Sequence, residues 1–415
     1  MDSEDNGVPS QKELLGKRLW AQAKLKDICE RIFSGGTPFT RNPEYWNGHL
    51  LWLSSGETSN RLIRDTKQKI TTKGANNSST RLAAKDSTVI ASAGQGHTRG
   101  QASLLMVDVY INQSVVAIKG KESVVDPYFL FYSLVSRYER FRQISDAHSI
   151  RGSLTTKVLS EETILLPPLN IQKTIGQILL SLDLKIELNQ QMNKTLESIA
   201  QTLFKHWFID FEFPDENGQP YKSSGGEMVD SELGEIPNEW KIGKIKDLAT
   251  VTSGKRPGKK SDVRTEEFNV ELIGASSVMG FVKDSLYTGK IILTGRVGTH
   301  GILQRVNKQS WPSDNTLVLK PIRYEYIFQC LKLVDFGSLN IGSTQPLITQ
   351  TQIKEWDIVI PPNEILGTFE LFASSLYSKV DSNKDESRIL SSLRDLLLPQ
   401  LISGKIRVPL EDTNV

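Results

Sequence analysis

The chain has 415 residues, more than one ordinary core holds, so two or three domains are expected. It is 38% hydrophobic and 24% charged, and its 50 Lys and Arg nearly cancel 48 Asp and Glu, so net charge names no partner and local clustering must. Two cysteines, Cys29 and Cys330, exclude a disulfide framework and lack zinc-ligand spacing, which fits a reducing compartment.

Residues 1–19 open on the acidic, polar "MDSEDNG" with no basic segment leading into an apolar one, so an N-terminal extension is expected rather than a signal peptide. No run of 18 apolar residues occurs, so no membrane span is expected. From Trp20 onward the chain repeats itself. Trp20, Lys24, Lys26 and Asp27 recur as Trp240, Lys244, Lys246 and Asp247, and Ser34-Gly35 and Pro38 recur, with one gap, as Ser253-Gly254 and Pro257. The β-rich "STVIASAGQGHTRG" (87–100) matches "GKIILTGRVGTHG" (289–301), and "INQSVVAIK" (111–119) matches "SDNTLVLK" (313–320). "TILLPPLNIQ" (163–172) then meets "DIVIPPNEIL" (357–366), so the second copy has a shorter middle.

After each Pro-Pro pair the pattern becomes helical. Ile171, Ile175, Ile178, Leu182, Ile186, Met192, Leu196, Ile199 and Leu203 recur at spacings near three and four, which predicts one long amphipathic helix over 169–208. Ile365, Phe369, Phe372, Leu376, Val380, Leu390, Leu393 and Leu397 predict its counterpart over 363–404, stopped by Pro399. Asn170 and Asn363 stand where N-caps are wanted. Lys185, Asn189 and Asn383 interrupt the stripes, and polar residues so placed fix the register of a helix pair. A helix of roughly 38 residues is about 57 Å long and needs a long partner for its apolar stripe, so the two helices are expected to pair antiparallel, the alternative being that each lies on its own domain. Residues 209–239, polar and rich in Gly and Pro, read as a linker, and 405–415 as a tail.

No phosphate-loop glycine pattern, nucleophile elbow or zinc helix occurs. His49, His97, His148, His206 and His300 are scattered, and His206 beside Trp207 suits packing or capping; Trp20, Trp240 and Trp356 suit core packing. Basic residues do cluster. "KRPGKKSDVR" (255–264) holds Lys255, Arg256, Lys259, Lys260 and Arg264 on a turn-rich stretch suited to phosphate contacts. Arg61 and Arg64 head a similar run in the first copy. The glycine turns offer Gln95, His97 and Arg99 in one copy and Arg296 and His300 in the other, and Arg142, His148 and Arg151 precede the first Pro-Pro. These are the candidate DNA contacts.

Taken in order, "SGGTP" (34–38), the segment from "ILLPPLNIQKTIGQ" to "FKHWFIDFEF" (164–213), "SELGEIPNEWKIGKIKDL" (231–248), and "IPPNEILGTFELF" (360–372) leading to "LLLPQLISGKI" (396–406) resemble the specificity subunits of type I restriction-modification enzymes. "SGKRP" departs from the glycine-threonine form. The resemblance implies an α/β (α+β) fold: two similar target recognition domains, 20–168 and 240–362, each with a β-rich core plus helices, separated by long helices that form an antiparallel coiled coil in a pseudo-two-fold repeat. It implies that each domain reads half of a bipartite, asymmetric duplex site. The coiled coil would set the spacer and dock two modification subunits, which use S-adenosylmethionine to methylate adenine; two motor-nuclease subunits using ATP and Mg would complete the enzyme. This chain would be non-catalytic, without a cofactor or metal of its own, in a prokaryotic cytoplasm. The alternatives are a coiled-coil scaffold linking two protein-binding domains, or a stand-alone DNA-modifying enzyme.

Overall fold

The computed structural model describes residues 20–93, 97–148, 153–297, 301–339 and 347–409, the side chains of 147–148 aside. The chain divides into two compact units, Met1–Asn189 with Asp385–Val415, and Gln190–Lys384. The divisions fall inside the two long helices, so each unit holds one reading-sized module and a share of both helices.

In the first unit, strand Ala21–Lys24 pairs antiparallel with Thr163–Leu166, tying the start of the module to its end. Between them lies a five-stranded sheet in the order Cys29–Ser34, Val115–Gly120, Thr88–Ala91, Ala102–Leu105, Leu62–Ile63. A second sheet runs Gln68–Ile70, Trp46–Leu53, Val109–Ile111, Arg81–Ala83. The second unit repeats the plan. Lys241–Lys244 pairs with Asp357–Ile360. Its main sheet runs Ala249–Ser253, Thr316–Pro321, Ile291–Gly295, Gln304–Val306, and its smaller one Val278–Val282, Val270–Ile273, Ser310–Pro312. In each second sheet the central strand has one parallel neighbour, Trp52 facing Tyr110 in one and Leu272 facing Trp311 in the other.

The repeated Ser-Gly is explained by space. A Cβ on Gly35 would lie 1.9 Å from the Ile111 carbonyl oxygen, and one on Gly254 would lie 2.1 Å from that of Ser313. Only glycine lets the chain leave the first sheet by crossing directly over the second. The next amide along donates to the second sheet in both copies, Gly36 to Ile111 O and Lys255 to Pro312 O, so the same crossing is made twice.

The long helices span Leu169–Phe208 and Asn363–Ile402, 40 residues each, or about 60 Å at the α-helical rise. Their pairing within each unit is antiparallel. In the first unit Asp183 meets Arg394 and Asn189 meets Ser387. In the second, Asn193 meets Asn383 and Phe204 meets Phe369 with ring centroids 6.0 Å apart. The interrupting asparagines lie at the centre of the seam: Asn189 is fully buried and donates to Glu386 Oε2 (2.8 Å) and Ser387 Oγ, and Asn383 donates to Asn193 Oδ1 at 2.9 Å. Asn189 and Asn193 correspond, 194 positions on, to Asn383 and Ser387, so one polar lock is written twice. Sliding the helices would bury these amides unpaired, which penalises other registers.

Three helix expectations need correction. The buried stripe of the first helix runs through Ile175, Leu179, Asp183, Ile186, Asn189, Asn193, Ala200, Phe204 and Trp207. Ile199 (48% exposed) and Leu393 (40%) therefore lie outside the seam; Phe372, 51% exposed, sits at its rim with its ring edge-on to Trp207 of the first helix, centroids 6.2 Å apart; and Ile178, Leu182, Met192, Leu196, Leu203, Leu376, Leu390 and Leu397 flank it half-buried. An apolar-only reading loses the stripe because its centre is partly polar. The N-caps are Pro168 and Pro362, whose carbonyls accept from the Gln172 and Leu366 amides, rather than Asn170 and Asn363. Pro399 does not stop the second helix, which runs to Ile402. One turn from the end, a proline forfeits a single amide bond, and its carbonyl still accepts from the Ser403 amide. The stop is Gly404, at φ +73°.

Segment 209–239 is not a bare linker. Phe211 and Phe213 are buried against Trp240, with ring centroids 5.5 and 5.0 Å away, and Met228–Val229 pairs with Ile236–Pro237. Aromatic anchors in a polar stretch, invisible to its composition, hold it on the second unit's core.

Candidate nucleic-acid interface

The basic loop of the second module starts from the Gly254 crossing. Its near end is held by the Lys255 amide on Pro312 O and by Trp311 Nε1 on Lys255 O (2.7 Å); its far end is held where Ser261 bridges Phe281. Between these anchors Lys255, Arg256, Lys259, Lys260 and, just beyond, Arg264 are all exposed. Their acidic neighbours are weak restraints: Asp314 is 3.7 Å from Arg256, and Asp262 is 3.3 Å from Lys260, all with half or nearly half of each side chain in water. A rigidly rooted loop with five solvated cations suits a phosphate backbone. Exposed Val263 and, on the adjoining strand, Val278 and Met279 give the same face an apolar edge.

The equivalent stretch of the first module has other chemistry. Thr37 donates to Gln113, the short 3₁₀ turn Pro43–Tyr45 follows, and Phe39 is 65% exposed next to exposed Arg41. Neither residue stood out in the sequence, since neither belongs to a cluster; the repeated Ser-Gly crossing is the signal that would have marked them.

The other candidates divide. The structure brings Ala93 and residues 97–99 against the segment before the first Pro-Pro: Ala93 bridges Ser153, the Tyr138 hydroxyl donates to His97 O, and Arg99 pairs with Asp146. His97 is exposed there, and Arg142 is half-buried on the same helix, Tyr138–His148, that carries Asp146. His148 ends that helix. In the second module Val297 bridges Leu347 in the same manner, and Arg296 is half-buried with its amide on Asn315 O. Gln95, Arg151 and His300 lie outside the described residues.

Three candidates are committed elsewhere. Arg99 is buried, its charge spent on Asp146. Arg64 Nε donates to both carboxylate oxygens of Glu187 at 2.9 and 3.0 Å, and Arg61 Nε is 3.8 Å from Asp183 Oδ1, so both reach the first long helix, Arg64 with 45% of its side chain still in water. The run "RLIRDTKQK" looks like a phosphate-binding loop only until tertiary structure supplies carboxylates.

Nothing among the described residues gathers three or more His, Cys, Asp or Glu into a metal-binding set. Burial pushes the Cys29 and Cys330 thiols up to about 12, which removes thiolate chemistry at neutral pH. In the second unit burial pushes the Glu325 carboxyl up to about 7, against the pull of Arg305 at 2.6 Å. A carboxyl whose folded pKa is raised stabilises the fold most when protonated, and that contribution is lost between about pH 4.5 and 7. Glu325→Gln should therefore gain stability relative to the parent chain as pH rises from 5 to 8, by up to about 3 kcal/mol. Thermal unfolding of both chains across that range checks this; a constant difference refutes it.

Two related α/β modules, each seated on shares of the same long helices and presenting loops of unlike chemistry, define a duplicated recognition protein. The chain belongs to the type I restriction-modification DNA specificity domain family, whose profile matches residues 17–198 and again 237–395. It is 26% identical to the specificity subunit of the type I restriction enzyme MjaIX of Methanocaldococcus jannaschii, over 94% of both chains. It is also 26% identical to the HindI specificity subunit of Haemophilus influenzae, over 74% of this chain and 84% of that one. The crystal structure of a type I restriction-modification S subunit from M. genitalium superposes with a TM-score of 0.59 at 14% identity, covering 96% of this chain and 97% of that one, which shows a shared fold. The role of this chain is DNA recognition as a specificity subunit, not catalysis. No described helix is long and apolar enough to cross a membrane.

Proposed function

We propose that each module reads one half of a bipartite, asymmetric duplex site, and that the paired helices set the unread spacer and dock modification subunits. The observation that carries this is the doubling of one module on one helix pair with divergent loops: "GKRPGKK" rooted at Gly254, against "GGTPFT" rooted at Gly35. Related scaffolds with unlike loops suit two half-sites of different sequence. Docking is supported by apolar side chains left outside the helix seam. In the first unit these are Leu188, Ile389, Leu393 and Leu396; in the second, Ile199 and Leu371, each at least 40% exposed. Two adenine-methylating subunits that bind S-adenosylmethionine are the partners this reading requires, with two ATP- and Mg-dependent motor-nuclease subunits completing restriction in a prokaryotic cytoplasm. The residues proposed to face DNA are Lys255, Arg256, Lys259, Lys260 and Arg264 in the second module, and His97, Arg41 and Phe39 in the first.

Footprinting tests this. The complex with its modification subunits should protect two short half-sites around an unread spacer, with an affinity that falls steeply with salt. One continuous protected block contradicts it, and salt-independent or absent duplex binding favours a protein scaffold.

A further inference from the structure

Each module is fastened to a long helix at the same two positions, by different chemistry. In the first unit the helix residues are Asp183 and Glu187; 194 positions on, in the second unit, they are Tyr377 and Asp381. A module helix reaches the first of each pair. Tyr132, sixth in helix Pro127–Val135, donates to Asp183 Oδ2 at 2.6 Å, and Gln329, sixth in helix Tyr324–Lys332, donates to the Tyr377 hydroxyl at 2.8 Å. The edge strand of the main sheet reaches both. Around edge strand Leu62–Ile63, Arg61 lies beside Asp183 and Arg64 holds Glu187. From edge strand Gln304–Val306, the Arg305 guanidinium stacks 3.8 Å from the Tyr377 ring centroid and lies 3.7 Å from Asp381, to which Asn307 donates at 2.9 Å.

The two helix positions are one turn apart, so they face the same way. Two fastenings along one helix resist rotation of the module about that helix, which a single contact does not. Asp183 is 5% exposed and Tyr377 1%, and Arg394 of the second long helix also donates to Asp183, so the first clasp joins module and both helices. The chemistry is not interchangeable: a carboxylate and an aromatic hydroxyl occupy equivalent places.

We propose that these clasps are positioning elements of DNA reading: they hold each module at a set angle on its helix, and so set how strictly the spacer between half-sites is measured. This rests on the two-half-site reading above. Arg64, Glu187, Asn307 and Asp381 are positioning residues in this sense, acting through the modules they hold.

The experiment uses the full chain with its modification subunits and measures methylation rates on duplexes carrying the preferred spacer, spacers one base pair shorter and longer, and single-base changes in either half-site. Arg64→Glu, which sets two carboxylates together, should lower discrimination against the wrong spacers about tenfold while leaving half-site discrimination unchanged. Arg64→Glu with Glu187→Arg should restore it. Arg64→Gln should give an intermediate loss and keeps the test open if the charge reversal impairs folding, as thermal unfolding would reveal. Equal rate changes on all duplexes, or a lost half-site preference, overturn the proposal. If the parent complex accepts any spacer, the two-half-site reading itself has failed, and that result is distinct from a parent that measures strictly and variants that still do.

Discussion

Inserting four residues after Asn189 and four after Lys384 is expected to lengthen the spacer of the recognised site by one or two base pairs and to leave both half-site sequences unchanged. The two points are where the compact units divide, so each unit keeps its own helix pairing. Four residues add about 6 Å of helix and about 40° of rotation. Two base pairs add about 7 Å and roughly 70°, so the insertion and the longer spacer match in advance and differ by about 30° in twist. Inserting into the first helix alone should instead destabilise the protein. It would slide Asn193 off Asn383 or Asn189 off Ser387, and a buried amide without its partner costs about 1–3 kcal/mol. Mapping methylated positions on a library of spacers reads the outcome directly. An unchanged spacer in a folded double insertion would refute the ruler role.

Replacing Lys255, Arg256, Lys259 and Lys260 together by Gln should weaken binding to the specific duplex by about 10²–10³-fold near 0.1 M salt. It should also flatten the salt slope by up to about 3.5, since each phosphate neutralised contributes about 0.9. Folding should be unaffected, because all four side chains are exposed and, among the described residues, the carboxylate neighbours are those of Arg256 and Lys260, at distances where such pairs contribute little. Fluorescence anisotropy at several salt concentrations measures affinity and slope together. An unchanged slope would mean that the loop is merely solvated. Weakening confined to duplexes with an intact second half-site would assign the loop to that half-site.

Much of the architecture is visible in local pattern. The Trp-Lys-Lys-Asp frame, the two Ser-Gly steps and the two Pro-Pro pairs each depend on near neighbours or on backbone geometry, so they survive as recognisable spacing. The asparagines of the helix seam were legible for the same reason: a polar residue inside an apolar stripe demands a partner. The candidate site was less legible. Loop 255–264 could be read because its charges are contiguous and remain exposed. Arg61, Arg64 and Arg99 could not, because the carboxylates that claim them lie 122, 123 and 47 positions away. Phe39 and Arg41 were missed because single exposed residues carry no pattern.

The sequence by itself determined a duplicated α/β chain with two long helices and a basic loop in the second copy, because periodicity and repetition record local backbone and burial demands. The tertiary structure alone decided which charges stay solvated and which pair with carboxylates distant in sequence. An ionic partner is chosen by distance in space, and nothing in the spacing of Arg64 announces Glu187.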